Sequence, residues 1–177
     1  MTCSVYIATS LDGYIARSDG DISWLHRPEY SASPMKGVQY TDFIRTIDTI
    51  VMGRNTFEKV LTFEPWPYAG TPLVVLSDSA VSIPRHLTDH VRVMAGEPTT
   101  VVNALAAEGK QHLYIDGGVT IQRFFSAGLI DDITITVIPV VLGDGIPLFA
   151  SGIPEAQLTL TGCDASDNGF VQVRYTL

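Results

Sequence analysis

Short runs of β-branched and aliphatic residues recur along this chain, alternating with segments whose apolar residues carry helical spacing. That rhythm belongs to an α/β sheet. Val5-Tyr6-Ile7-Ala8 reads as a first strand, and the stretch from Ser10 to Pro34, with Gly13, Gly20, Pro28 and Pro34, reads mainly as a long loop. Loops of that length inside a compact domain usually serve function. Phe43, Ile44 and Ile47 predict a short helix, followed by the strand Thr49-Ile50-Val51-Met52 and a second helix carrying Phe57 and Val60. Leu73-Val74-Val75-Leu76 and Val91-Arg92-Val93-Met94 are two further strands. Pro98 fits the first position of a helix that runs to about Ala107, with Gly109 as its stop. Leu113-Tyr114-Ile115 leads into Asp116-Gly117-Gly118 and a helix from about Thr120 to Ala127, stopped by Gly128.

In the last third the period changes. Ile133, Ile135 and Val137 alternate with Thr134 and Thr136, so this strand has two unlike faces. Leu158 and Leu160, a turn at Asp167-Asn168-Gly169, and Val171, Val173 and Tyr175 predict a closing antiparallel hairpin. No internal repeat or linker interrupts the pattern, so residues 1–177 are expected to form one domain.

Composition narrows the function. Hydrophobic residues make up 46% of the chain and charged ones 17%, which excludes a disordered protein. The net charge is −8, so the basic footprint of a nucleic-acid binder is missing. The longest apolar run, Ile133 to Leu142, is broken by Thr134, Thr136 and Pro139 and is half a membrane span. Met1-Thr2-Cys3-Ser4 lacks a basic leader, and the expected location is the cytoplasm. Cys3 and Cys163 both sit in strand-like apolar runs and are expected as buried, reduced thiols. The four histidines are scattered, and no metal site is expected.

Two strand-to-helix junctions carry the candidate chemistry. At Met52-Gly53-Arg54-Asn55-Thr56 and at Ile115-Asp116-Gly117-Gly118-Val119-Thr120, an apolar strand ends in glycine and a helix opens. A helix N-terminus presents free N–H groups and roughly half a positive charge, which suits a phosphate, and glycine lets the ligand approach the backbone. Either junction alone is ordinary turn chemistry; two at the carboxyl ends of strands are what a dinucleotide pyrophosphate requires.

Their order within the chain is more specific. Ser10-Leu11-Asp12-Gly13-Tyr14-Ile15-Ala16, then Met52 to Glu58, Val75-Leu76-Ser77, Ile115 to Gly118, Gly128 to Ile133, and Ile138 to Phe149 with its Leu142-Gly143-Asp144-Gly145 turn follow in series. This series resembles the dihydrofolate-reductase-like superfamily, nearest to the reductase domain of bifunctional riboflavin biosynthesis enzymes and its stand-alone relatives. The resemblance implies an α/β three-layer sandwich on a mixed, mostly parallel sheet with a C-terminal antiparallel hairpin. It also implies hydride transfer from NADPH to a small pteridine- or aminopyrimidine-like heterocycle.

By that resemblance Gly53, Arg54 and Thr56 would meet the adenosine-side phosphates, and Ser77 the ribose 2′-phosphate. Gly117, Gly118, Val119 and Thr120 would offer N–H groups to the pyrophosphate. Ala8 and Ile15 would line the nicotinamide site under a lid formed by the loop after the first strand. Asp78 follows Ser77, where a carboxylate would repel a 2′-phosphate, so NADH stays beside NADPH as cofactor. Three carboxylates are alternatives for the substrate side: Asp12 in the riboflavin-type pattern, Glu29 five residues after Trp24, and Asp42 on the short helix. The riboflavin-type enzymes also bind a ribose phosphate, for which Arg17, Arg27 and Lys36 are the available cations. Relatives in this group often pair as homodimers, and the Ile133–Val137 strand offers its apolar face either to a partner copy or to a helix. The alternative to a reductase is a non-catalytic nucleotide-binding module of the same fold.

Overall fold

Eight strands form one sheet in the computed structural model, which describes residues 1–68 and 70–177. In chain order they are β1 (Thr2–Ser10), β3 (Thr49–Gly53), β4 (Leu73–Leu76), β5 (Val91–Met94), β6 (His112–Asp116), β7 (Asp132–Ile138), β9 (Thr159–Ala165) and β10 (Val171–Thr176). Across the sheet the order is β5-β4-β3-β6-β1-β7-β10-β9. The first six run parallel, and β10 lies antiparallel between β7 and β9. A mixed, mostly parallel sheet with a terminal antiparallel hairpin is what the sequence predicts.

Alternation along each central strand splits the core into two layers. Val51, Val74, Leu113 and Ile115 face α3 (Pro98–Ala107) and α4 (Gly118–Ser126), packing with Val101, Leu105, Ile121 and Phe124. Ile50, Met52, Leu73 and Val75 face the other way, towards Phe43 of α1 (Tyr40–Ile44) and Phe57 and Val60 of α2 (Arg54–Val60). The central strands are buried on both faces, which is why they read as unbroken apolar runs. The arrangement is a three-layer sandwich.

Local signals hold at both long helices. Pro98 opens α3, and Gly109 and Gly128 follow the helix ends with φ of +84° and +66°. The glycine-rich junction belongs partly to α4, which starts at Gly118, two residues earlier than the sequence suggests. Inside the predicted long loop the chain forms 3-10 turns at Ser23–Leu25 and Pro28–Ala32. It also forms β2 (Tyr14–Ala16), which pairs with β8 (Ile146–Pro147) far along the chain. Cys3 is buried, its thiol pushed up to about 12 chiefly by desolvation, but Cys163 is exposed on edge strand β9, contrary to expectation.

The middle of β7 inverts the usual polarity, while Ile133 and Ile138 towards its ends are buried. Thr134 and Thr136 are buried whereas Ile135 and Val137 are half-exposed. The strap at residues 35–39 covers the threonine face. Val38 N–H donates to Gln172 Oε1 (2.8 Å), and Gln172 Nε2 donates to the Val38 carbonyl (3.0 Å) and to Thr136 Oγ1 (3.3 Å). Pairing register puts Ile135 beside Val173 and Cys163, and Val137 beside Val171 and Ala165, on the opposite, less covered face.

Phe124 is fully buried on the α4 side. Phe124→Ala should cost about 3–5 kcal/mol through lost transfer energy and a residual cavity, read as a lower urea midpoint with an unchanged slope.

Candidate active site

Strands β3 and β6 are hydrogen-bonded neighbours, with Met52 opposite Asp116, so Gly53 and Gly117 emerge side by side at the carboxyl edge of the sheet. Each glycine makes room for a threonine from the other junction. A Cβ on Gly53 would stand 3.0 Å from Thr120 Oγ1, and one on Gly117 would collide with Thr56 Oγ1. Gly117 also adopts φ +86°, a left-handed backbone that side chains disfavour. Gly118, the first residue of α4, lies against Ile15, whose Cδ1 a Cβ there would approach to 2.8 Å. The two helix openings are thereby locked together rather than merely near one another.

A cleft of about 900 Å³ opens over this seam. Gly53, Arg54, Thr56, Gly117, Gly118, Val119 and Thr120 all line it, as do Ala8 and Ile15. The loop after β1 overhangs it through Ser18, Asp19, Gly20 and Ile22. That loop is held by the β2–β8 pair, by Arg17–Asp21 (3.3 Å) and by Ser18 Oγ donating to Asp144 Oδ2 (3.0 Å). No side chain caps α4, whose first turn keeps N–H groups without intrahelical partners. Since α2 is only two turns long, its opening contributes chiefly the Arg54 guanidinium. Arg54 Nε donates to Glu58 Oε1 (2.7 Å) and one terminal nitrogen to Ser79 Oγ (3.3 Å).

Four expected site residues lie elsewhere. Ser77 is outside the cleft lining, its hydroxyl donating to the Ser79 carbonyl (2.9 Å) to close the turn after β4; the exposed Asp78 is outside it too. Asp12 accepts the Gly143 N–H (2.7 Å) and the Leu142 N–H (3.1 Å), tying the β1–β2 turn to the loop after β7. The Ser10 hydroxyl first, then these amides, holds its carboxyl down at about 2. Such a carboxylate is a clamp and stays ionised, so it is no proton donor. Glu29, on a 3-10 turn, faces Arg27 at 4.0 Å, and Asp42 on α1 pairs with Arg45 at 3.2 Å; both are solvated and neither lines the cleft. Both are exposed to water where they stand, and their surface ion pairs add little.

Asp19, Glu58 and Asp116 do line the cleft, and Asp116, the last residue of β6, is the one set among phenols. Its Oδ1 accepts the Gly117 N–H (2.8 Å) and its Oδ2 the Tyr68 hydroxyl (2.9 Å). Desolvation outweighs these stabilising bonds and raises its pKa above the ordinary carboxylate value. Tyr40, Tyr68 and Tyr114 surround it, and each phenol is pushed up first by burial and then by this carboxylate. The Tyr114 hydroxyl donates to the Tyr6 carbonyl (2.9 Å), and Tyr6 and Tyr40 contact edge-on at 5.7 Å. The sequence held one clue: a lone acid closing an apolar strand just before two glycines is a buried titratable group. Tyr68 belongs to an irregular segment where no periodicity marks it.

Comparison with known proteins places this geometry in a group. Residues 2–172 match the family model of the RibD C-terminal domain. The YwjB protein of Bacillus subtilis, itself uncharacterised, is 38% identical over 160 residues, covering 89% of this chain and 88% of its own. A crystal structure of a putative riboflavin biosynthesis protein from Shewanella sp. PV-4 superposes with a TM-score of 0.88 at 37% identity, over 99% and 98% of the two chains. The Thermotoga maritima diaminohydroxyphosphoribosylaminopyrimidine deaminase/5-amino-6-(5-phosphoribosylamino)uracil reductase shares the fold at a TM-score of 0.69 and 15% identity. This chain spans 56% of its length.

The Asp12 clamp has a pH signature. A carboxyl lowered to about 2 contributes stability that is full above its ordinary value of 3.8 and is lost as pH falls towards about 2. Asp12→Asn should therefore lower the urea midpoint at neutral pH, and the gap from the parent protein should close on acidification through that window.

Proposed function

The chain belongs to the RibD C-terminal domain family, and from that premise we propose that it is an NADPH-dependent reductase of a small nitrogen heterocycle. The single observation behind this reading is the interlocked pair of helix openings, Gly53 against Thr120 and Gly117 against Thr56, beneath one cleft. The residues fit a dinucleotide. The uncapped first turn of α4 offers N–H groups at Gly118, Val119 and Thr120, and Thr56, packed into the space of the missing Gly117 side chain, fixes where that turn opens. Arg54 adds a guanidinium suited to bidentate phosphate binding, with the Ser79 turn beside it. Once bound, NADPH would supply a hydride to a carbon of a C=N bond, while the nitrogen takes up one proton.

The remaining work falls to the chain. Ala8 and Ile15 bound the inner part of the cleft, and the loop carrying Ser18 to Ile22 limits water access. Asp116, with its raised pKa, keeps a proton to higher pH than a solvated carboxyl and is the acid placed to deliver it from an Oδ atom. Expected results are saturable NADPH binding, seen as quenched tryptophan fluorescence and a raised melting temperature, and about ten-fold weaker binding by Arg54→Ala from loss of a charge-assisted bond. Absence of any melting shift at millimolar NADPH would overturn the reductase reading. A protein that binds NADPH but oxidises it with no heterocycle would be the non-catalytic module instead.

A homodimer is proposed on a separate observation. Ile135, Val137, Val171 and Val173 form a half-exposed apolar patch on the sheet face opposite the 35–39 strap. Light scattering should give twice the chain mass, reduced to one chain mass by Val173→Glu; a monomeric parent protein would remove the proposal.

A further inference from the structure

Gln172 of β10 is a polar side chain with only 1% of its surface exposed, and it stands outside the cleft lining. Its amide is fully engaged. Oε1 accepts the Val38 N–H (2.8 Å) and one Arg174 terminal nitrogen (3.0 Å). Nε2 donates to the Val38 carbonyl (3.0 Å), to Thr136 Oγ1 (3.3 Å) and to the Tyr6 hydroxyl oxygen (3.4 Å). Val38 thus presents one donor and one acceptor, and a carboxamide meets each with the matching atom. The strap is shaped to this group: Gly37 has φ +95°, and a Cβ there would collide with Gln172 Oε1. The closing hairpin holds the same segment further along, with Ser166 Oγ accepting the Lys36 N–H (2.8 Å) and Asn168 Nδ2 donating to the Tyr30 carbonyl (3.1 Å).

The Val38 carbonyl accepts a second bond, from the Tyr6 hydroxyl (2.8 Å). Tyr6 belongs to β1 and lines the cleft. Its ring stacks on Phe43 at 4.9 Å between centroids and meets Tyr40 edge-on, so the hydroxyl bond pins the tip of a ring whose face is already set. The effect is confined to one end of the cleft. Tyr6 shares a strand face with Ala8, and its carbonyl accepts the Tyr114 hydroxyl (2.9 Å). None of the Gln172 partners belongs to the Gly53–Thr56 or Gly117–Thr120 junctions that fit the dinucleotide. A buried polar network with its members satisfied is rigid, and a wall fixed before the ligand arrives costs no ordering on binding.

We infer that Gln172 is a positioning residue: from outside the cleft it sets the Tyr6 ring, through the Val38 carbonyl, as a fixed wall for a flat nitrogen heterocycle. The inference rests on the reductase reading and adds to it a residue of the last strand that lies outside the cleft lining. Without the amide, the Val38 N–H and carbonyl lose their partner on β10, the strap is no longer tied to the sheet at that point, and the Tyr6 hydroxyl bonds to an acceptor that can drift.

Calorimetry on the protein saturated with NADP⁺, which fills the cofactor end without delivering a hydride, tests it with two probes: pterin and 5-amino-6-(5-phosphoribosylamino)uracil. For whichever binds the parent protein more tightly, Gln172→Met and Tyr6→Phe should each weaken binding by about five-fold or more. Because both act through one carbonyl, the double variant should bind no more than about two-fold more weakly than the poorer single variant. NADPH affinity should stay within about two-fold of the parent value throughout. An amide needed only for stability would lower the urea midpoint and leave probe affinity unchanged in the folded protein, and that pattern would overturn the inference. So would a double variant weaker than that limit, or equal losses of NADPH and probe. Should Gln172→Met not fold, Gly37→Ala, whose methyl displaces the same amide, takes its place in the cycle. A parent protein that binds NADPH but neither probe also overturns the inference while NADPH binding stands, whereas a parent protein that fails to bind NADPH removes the reductase reading and the inference with it.

Discussion

The site depends on an exchange of space between two neighbouring strands. Gly53 closes β3 and Gly117 closes β6, and each yields the volume of its missing side chain to a threonine from the other strand's helix. Parallel strands about 5 Å apart give two junctions only that separation, so both cannot carry side chains and also open onto one ligand. The left-handed backbone at Gly117 then directs α4 so that its uncapped turn lines the cleft. Arg54 and Val119 take their positions from this seam, and Ile15 of β2 packs against Gly118 beside it.

A second tension sits beside it. Asp116 receives two hydrogen bonds that favour its charged form, yet burial among three phenols pushes its pKa upward. A carboxyl needed only for structure would be expected to sit as Asp12 does, in water with amide donors and a depressed pKa. The two acids illustrate how surroundings rather than residue type set the direction of a carboxyl's pKa.

The sheet's far end follows another logic. A strap at residues 35–39 covers the polar face of β7 and β10, so threonine and glutamine are buried through satisfied hydrogen bonds while isoleucine and valine are left half-exposed. Alternation in the sequence reveals two faces but not which one receives cover, because the cover arrives from a segment about a hundred residues away.

Strand runs, the helix start at Pro98, the closing hairpin and both glycine junctions were legible from local residue order, because period, capping and turn chemistry are properties of neighbouring residues. Nine of the residues expected on the cofactor side line the cleft, since a junction carries its own glycines and first-turn residues wherever it goes. The acid could not be chosen that way. Asp12, Glu29 and Asp42 have the right chemistry but stand outside the cleft, Asp12 tied to amides that folding brings close, and Asp116 gains its character from Tyr68 and Tyr40, residues distant in sequence. Local order determined the scaffold; desolvation and hydrogen bonding, which depend on what packs around a group in three dimensions, decided which carboxyl lines the cleft with a raised pKa.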